Sequence, residues 1–172
     1  MTSNAQIQGW ADAAFSSCLE AFRANFESDG ELGAACSIYR NGKQVLNAWG
    51  GYATSDRQQP WRRHTAAPIF SVTKGIAALC VLEQVQQGTL VLDNPVANYW
   101  PEFAAFGKGK VTIREALGHR AGVPMLSGTI SIKDLADFSA MSSRLAGEKP
   151  IFEPGSAHSY HAITIGWITG EL

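Results

Sequence analysis

The sequence predicts an α+β fold, with an antiparallel sheet flanked by helices and followed by a helical region. Apolar residues recur at helical spacing from Ile7 to Phe26, an Asn41-Gly42 pair separates two strand-like runs, and Ile69 to Val85 is typical of one buried helix. We therefore expect residues 1–65 to form a helix and a sheet hairpin, and residues 66–172 to form a helical region of the same domain.

The first of these segments should be an amphipathic helix. Its single apolar stripe over residues 7–26 is expected to dock onto the protein's own sheet. The strands predicted next are Gly33–Arg40 and Lys43–Gly50. An Asn-Gly pair accepts the positive φ angles of a type I′ turn, so these two runs should form a β-hairpin.

The helix over residues 69–85 should begin at or just before Ser71 and end near Gly88, because glycine readily takes the left-handed conformation that ends helices. A short helical piece is expected between Pro95 and Pro101. Further along, helical spacing returns over residues 132–145, and a turn follows over residues 149–155.

A short helix is also expected over Val111–His119. Thr112 would be its N-cap, and Glu115 would complete a capping box, because each side chain can bond the other residue's backbone N–H.

The composition of the chain argues against some classes of binding partner. The chain has 172 residues, a net charge of −1 and a pI near 6.4, without a basic run. Neither nucleic acid nor a membrane is therefore an expected partner, and a small neutral molecule is. No signal peptide is visible and no apolar run approaches the roughly 20 residues that span a bilayer, so a cytoplasmic protein is expected. Cys18, Cys36 and Cys80 should be reduced core residues.

Ser71 and Lys74 are the first candidates for chemistry. Side chains three residues apart on a helix are neighbours. A serine hydroxyl needs a nearby base to become a nucleophile, and a lysine becomes a base when burial lowers its pKa. The pair therefore suits acyl transfer. The plainer alternative is that Ser71 is only an N-cap and that Lys74 reaches solvent.

Several motifs together resemble the serine β-lactamase-related superfamily, from about residue 30 onward. They occur in that superfamily's order: Phe70-Ser-Val-Thr-Lys74, Leu92-Asp-Asn-Pro-Val96, Val111-Thr-Ile-Arg114, His119-Arg-Ala-Gly122, and Pro154-Gly155 leading to Tyr160. The closing segment from Tyr160 to Trp167 is most similar to the esterases related to class C β-lactamases, the family VIII carboxylesterases. The resemblance implies a β-lactamase/transpeptidase-like fold.

The resemblance also implies roles for three residues. Ser71 would be the acylated nucleophile, Lys74 would take or relay its proton, and Tyr160 would be the second base, with its phenol pKa lowered by Lys74. Without the motifs, Tyr160 could simply be a buried tyrosine bonded to a carbonyl. The implied reaction cleaves short-chain carboxylic esters through an acyl-serine that water resolves, and no cofactor or metal is expected.

Two departures from the family pattern qualify this reading. Class C β-lactamases carry asparagine two residues after the tyrosine, where this chain has Ala162, which favours esters over β-lactams. The family's third motif, a Lys/His-Thr/Ser-Gly or Trp-Gly-Gly strand, has no counterpart here. We therefore expect residues 1–172 to be an N-terminal part, with the remainder on a second chain, removed or absent.

Other functions stay open on the sequence. A β-lactamase, a D-amino-acid peptidase or an acyltransferase would use the same three residues, and a non-catalytic acyl-binding module would lack the third motif. A metal site is not expected, because no acidic residue or cysteine completes a set of ligands with the four histidines, His64, His119, His158 and His161. Because it adjoins Tyr160, His161 could instead border the pocket.

Overall fold

A computed structural model describes residues 6–172 of the chain, which divides into two compact units, Met1–Pro68 and Ile69–Leu172. The first unit contains a three-stranded antiparallel sheet and a helix, and the second unit is helical. The predicted α+β class is therefore confirmed.

The elements of the first unit are β1 (Ile7–Ala11), a 3-10 segment (Ala13–Phe15), α1 (Ser16–Ser28), β2 (Gly33–Arg40) and β3 (Lys43–Gly51). The strand order is β1-β3-β2, so β3 is central and pairs with both neighbours. Phe22 and Phe26 of α1 pack edge to face, with ring centroids 5.3 Å apart, and form the core with Leu46 and Ala48 of β3.

The prediction of one helix over residues 7–26 is wrong for its first part, which is β1. Ile7 and Ala11 lie on the same face of the strand and pack against the core, so their apolar pattern has the two-residue period of a strand. Gly9, between them, has φ +112°, and a Cβ there would lie 2.1 Å from the carbonyl oxygen of Asn47. The close approach of Gly9 to β3 is therefore the reason why this segment is a strand.

The Asn41-Gly42 turn is confirmed. Both residues have positive φ, 50° and 75°, as a type I′ turn requires. The turn joins β2 to β3, and the register shifts once, between Ile38 and Tyr39.

The second unit contains five α-helices and three 3-10 segments. The α-helices are α2 (Thr73–Gln86), α3 (Ile113–Leu117), α4 (Ile132–Leu135), α5 (Phe138–Ala146) and α6 (Thr164–Glu171), and the 3-10 segments are Phe70–Val72, Val96–Asn98 and Pro101–Lys110. Their core includes Phe103, Ile113, Leu145 and Ile168, which are fully buried.

Two helix predictions in this unit are corrected. The segment 132–145 is two helices, because Asp137 caps α5 by accepting a hydrogen bond from the Ala140 N–H at 3.0 Å, which starts a new helix there. The α2 helix is less buried than expected: Val81 is its buried apolar residue, whereas Ile76 and Leu79 are 52% and 61% exposed.

Two other predictions are confirmed. Thr112 Oγ1 accepts from the Glu115 N–H at 3.1 Å, and Glu115 Oε2 accepts from the Thr112 N–H at 2.9 Å, so both bonds of the capping box form. The 3-10 segment Val96–Asn98 is the short helical piece expected between the prolines.

Lys108 is a fully buried charged residue in the core of this unit. Its Nζ donates to three carbonyl oxygens, those of Ala105 at 2.8 Å, Ala146 at 3.0 Å and Glu148 at 2.6 Å. Burial lowers the pKa of this ammonium, and the charge of Glu148 opposes that change. No pattern in the sequence predicts a buried lysine at this position.

The cysteine prediction is only partly right. All three cysteines are free thiols, but Cys18 and Cys80 are exposed and Cys36 is half-buried, so they are not core residues. Within residues 6–172, no helix combines the length and the hydrophobicity needed to cross a membrane.

Candidate active site

Ser71 and Lys74 lie one turn apart where the chain enters α2. Ser71 belongs to the 3-10 turn and Lys74 to the first turn of the helix. Lys74 Nζ donates a hydrogen bond to Ser71 Oγ at 3.0 Å. Phe70, directly before the serine, has φ +43°, an unusual value for a residue other than glycine. The sharp bend leaves the Ser71 side chain exposed, where a substrate can reach it.

Tyr160 comes to this pair from a distant part of the chain. Lys74 Nζ lies 5.0 Å from the centroid of the Tyr160 ring. Polar interaction with the Ser71 side chain, and then with the Lys74 ammonium, lowers the pKa of the phenol from its ordinary value of 10.0. The structure thus brings together the three residues that the sequence analysis selected.

A cavity of about 360 Å³ opens beside the pair, between the start of α2 and α6. Its lining is mostly apolar or small, and it includes Ser71, Lys74, Ala77, Ala162, Ile163 and Ile165. Such a cavity has room for a small apolar group next to the hydroxyl. Ala162 lies within this lining, so the residue that departs from the family pattern borders the cavity.

His161 does not border the cavity as the sequence suggested, because its side chain is fully buried. One ring nitrogen, Nδ1, lies 2.6 Å from the Ser159 carbonyl oxygen, and the other, Nε2, accepts from the Val123 N–H at 3.2 Å. This arrangement corresponds to a neutral imidazole with its proton on Nδ1. Burial lowers the pKa of His161, which favours the same neutral form.

His119 packs against residues 158–161, called here the tyrosine loop. Its Nδ1 accepts a hydrogen bond from the His161 N–H at 3.0 Å, and its ring centroid lies 5.0 Å from that of Tyr160. Burial, then the charges of His158 and Lys74, lower its pKa from 6.5. The sequence analysis named His119 only within a motif and as a metal candidate.

Metal binding finds no support in the geometry. Residues 6–172 contain no group of three His, Cys, Asp or Glu side chains placed to hold a metal ion. The His119 imidazole instead accepts a hydrogen bond from the His161 N–H, and the His161 imidazole contacts backbone groups of Val123 and Ser159.

Comparisons with known proteins agree with this architecture. The family described as Beta-lactamase matches residues 17–172. The chain is 35% identical over 167 residues to Esterase/beta-lactamase LipL of Mycobacterium tuberculosis, covering 97% of this chain and 38% of the relative. It is 34% identical over 146 residues to Esterase EstB of Burkholderia gladioli, covering 75% of this chain and 37% of the relative.

A solved structure described as a family VIII carboxylesterase superposes with a TM-score of 0.89 at 40% identity, covering 96% of this chain and 45% of that one. The fold is therefore β-lactamase/transpeptidase-like. The chain spans less than half the length of each of these proteins.

Proposed function

Because the chain belongs to the Beta-lactamase family, we propose that it carries the acylation site of a serine hydrolase that cleaves short-chain carboxylic esters. Ser71 is the nucleophile, Tyr160 is the base, and the Lys74 ammonium keeps the phenolate and the hydroxyl in place. The observation that carries the proposal is the 3.0 Å contact between Lys74 Nζ and Ser71 Oγ, with Tyr160 beside it.

The first half of the reaction forms the acyl-enzyme. Ser71 Oγ attacks the ester carbonyl carbon while its proton passes to the Tyr160 phenolate. The carbon–alkoxy bond then breaks, and the departing oxygen takes the proton from Tyr160 and leaves as the alcohol. The Ser71 side chain and then the Lys74 ammonium lower the pKa of the phenol, which favours the phenolate as the base.

The second half releases the acid. Water attacks the acyl carbon and gives a proton to Tyr160, and the bond to Ser71 Oγ breaks. The serine oxygen recovers that proton, so the site returns to its starting state. Because Ser71 is exposed, water has access to the acyl group.

The cavity supports an ester with a small apolar acyl or alkoxy group. Its volume of about 360 Å³ is at the small end for ligand pockets, and Ala77, Ala162 and Ile165 line it. Two of the relatives named above are called esterases, and the name of one also includes beta-lactamase. A β-lactam is therefore the second candidate substrate. Ala162 favours the ester, because a methyl group offers no hydrogen bond to the amide of a lactam acyl side chain.

Intact mass spectrometry tests the proposal directly. The complete protein is incubated with p-nitrophenyl butyrate, and the expected result is a transient gain of one butyryl group that Ser71→Ala abolishes. Ser139→Ala, which changes an exposed serine on α5, is the matched control and should acylate normally. An adduct that persists in Ser71→Ala would rule the site out. An adduct that forms and never clears would indicate an acyl-binding protein in place of a hydrolase.

A further inference from the structure

Both backbone neighbours of Tyr160 are bonded to a single residue. The Ser159 N–H donates to the carbonyl oxygen of His119 at 3.1 Å, and the His161 N–H donates to Nδ1 of the His119 ring at 3.0 Å. One residue thus holds the chain on each side of the tyrosine. Neither bond involves Tyr160 itself, so its side chain stays free to face Ser71 and Lys74.

The backbone of His119 is shaped for this double contact. Its φ is +59°, the left-handed conformation that residues other than glycine seldom adopt. The residue follows the last turn of α3, where Gly118 N–H bonds back to the Arg114 carbonyl. The left-handed bend directs both the carbonyl and the ring of His119 to the 159–161 segment.

The ring of His119 also contacts the phenol ring. Their centroids lie 5.0 Å apart and the planes are tilted by 48°. Lys74 Nζ lies 5.0 Å from the centroid of the same phenol ring. The orientation of Tyr160 is therefore set by two contacts to its ring and by two hydrogen bonds to its backbone neighbours.

We propose that His119 is the positioning residue of Tyr160, holding the phenol against the Ser71–Lys74 pair so that it can accept the serine proton. This inference rests on the proposed function. It requires a neutral imidazole, because an Nδ1 that carries a proton cannot accept the hydrogen bond from His161.

The surroundings of His119 keep its ring neutral. The titratable groups near it are Lys74 on α2 and, on the tyrosine loop, His158, Tyr160 and His161. Burial, His158 and Lys74 all disfavour a positive charge on the ring. At neutral pH the acceptor on Nδ1 is therefore available.

Two substitutions separate the hydrogen bond from the backbone conformation. His119→Gly keeps a residue that tolerates positive φ and removes the acceptor. His119→Asn also tolerates positive φ, and its carboxamide oxygen can replace Nδ1 as the acceptor. The control is His64→Ala, which removes an exposed imidazole in the first unit of the chain.

The readout is the acylation rate of the complete protein with p-nitrophenyl butyrate, as a function of pH. We expect His119→Gly to lower kcat about tenfold to a hundredfold, as misplacement of a catalytic group does, with little change in KM. The rise of its rate with pH should also move to higher pH, because the phenol lies farther from Lys74. His119→Asn should restore most of the rate, and His64→Ala should match the parent.

Three outcomes would overturn the positioning role. They are an unchanged pH profile in His119→Gly, a loss of rate explained wholly by a lower melting temperature, or His119→Asn acting no better than His119→Gly. The proposed function is tested separately by Ser71→Ala in the same assay. If Ser71→Ala abolishes acylation while His119→Gly acylates normally, only the positioning role fails, whereas acylation that survives Ser71→Ala removes the proposed function and this role with it.

Discussion

Lys74 Nζ donates a 3.0 Å hydrogen bond to Ser71 Oγ, so the charge of the lysine is directed at the hydroxyl. We predict that Lys74→Ala lowers the acylation rate by about 10²- to 10⁴-fold, the range typical of a group that assists proton transfer. Lys74→Arg should be nearly as inactive, because a planar guanidinium cannot reproduce a compact ammonium. Burst kinetics with p-nitrophenyl butyrate measure the effect. Near-normal acylation in Lys74→Ala would contradict a role for this charge.

The phenol of Tyr160 makes the reaction pH dependent. Its pKa lies below 10.0, so the phenolate fraction, and with it kcat/KM, should rise with pH, with the midpoint of the rise below pH 10. Tyr160→Phe should lose this rise along with most of the activity. Because Lys74 favours the phenolate, any activity left in Lys74→Ala should rise at higher pH than in the parent. A parent-like pH profile in Tyr160→Phe would assign the titration to another group.

A change at Ala162 should alter the choice of substrate. We expect Ala162→Asn to raise the rate of β-lactam hydrolysis relative to ester hydrolysis by about fivefold, since one added hydrogen bond to the lactam amide contributes about 1 kcal/mol. The side chain at this position lines the cavity, so the amide can reach a bound substrate. Parallel assays with nitrocefin and p-nitrophenyl butyrate give the ratio. Ala162→Leu, which adds a side chain of similar size without a hydrogen-bonding group, is the control, and an unchanged ratio in Ala162→Asn would argue against this contact.

Stability should fall as the solution becomes acidic, through His161. Its pKa in the folded state is below the ordinary value of 6.5 because the ring is buried. Between these two pKa values the unfolded chain binds the proton and the folded chain does not. The free energy of unfolding therefore decreases as pH drops below about 6.5, by up to about 1.4 kcal/mol per pH unit for one proton.

Urea unfolding of the complete protein between pH 7.5 and pH 5 measures this loss. In His161→Asn the free energy of unfolding should decrease less as the pH falls. The variant should still be less stable than the parent at every pH, because the Val123 N–H loses its acceptor. Replacing the exposed His64 by alanine is the control and should leave the slope unchanged. If the free energy of unfolding changed with pH equally in the parent and in His161→Asn, His161 would not be the group responsible.

Lys108 should be important for stability and not for catalysis. We predict that Lys108→Met lowers the free energy of unfolding by about 3 kcal/mol, because one buried and two partly buried carbonyls lose their donor at once. Lys110→Met, in the same 3-10 segment but exposed, should change stability by less than about 0.5 kcal/mol. Thermal unfolding measures both. Equal stability of the two variants would show that the carbonyls find other partners.

Local signals in the sequence account for the elements that were predicted well. The Asn41-Gly42 turn and the capping box of α3 depend on residues that are adjacent or three apart in the sequence. Both can therefore be predicted from the local sequence without knowledge of the fold. Ser71 and Lys74 are neighbours for the same reason. The strand β1 resembles a helix in the sequence because its apolar spacing fits both periods, and the deciding contact is with β3, whose paired residues lie 35 or more positions away.

Contacts between distant segments explain what the sequence could not show. Tyr160 was found by its motif, since no periodicity places it beside a lysine on α2. The hydrogen bond from the His161 N–H to His119 joins residues 42 positions apart, and the local sequence around neither residue predicts it. Lys108 lies in a Gly-Lys-Gly-Lys run that is typical of a surface loop, and only the surrounding carbonyls make its burial possible.

The three carbonyls held by Lys108 also have a dynamic consequence. They belong to the turn at Ala105, the end of α5 and the residue two positions beyond it, so one ammonium links segments about 40 residues apart. Local unfolding of any one segment breaks one of the three hydrogen bonds of this ammonium, which raises the free energy of that local unfolding. The Val111 and Glu148 amides, which are bonded within these segments, should therefore exchange with deuterium at similar rates.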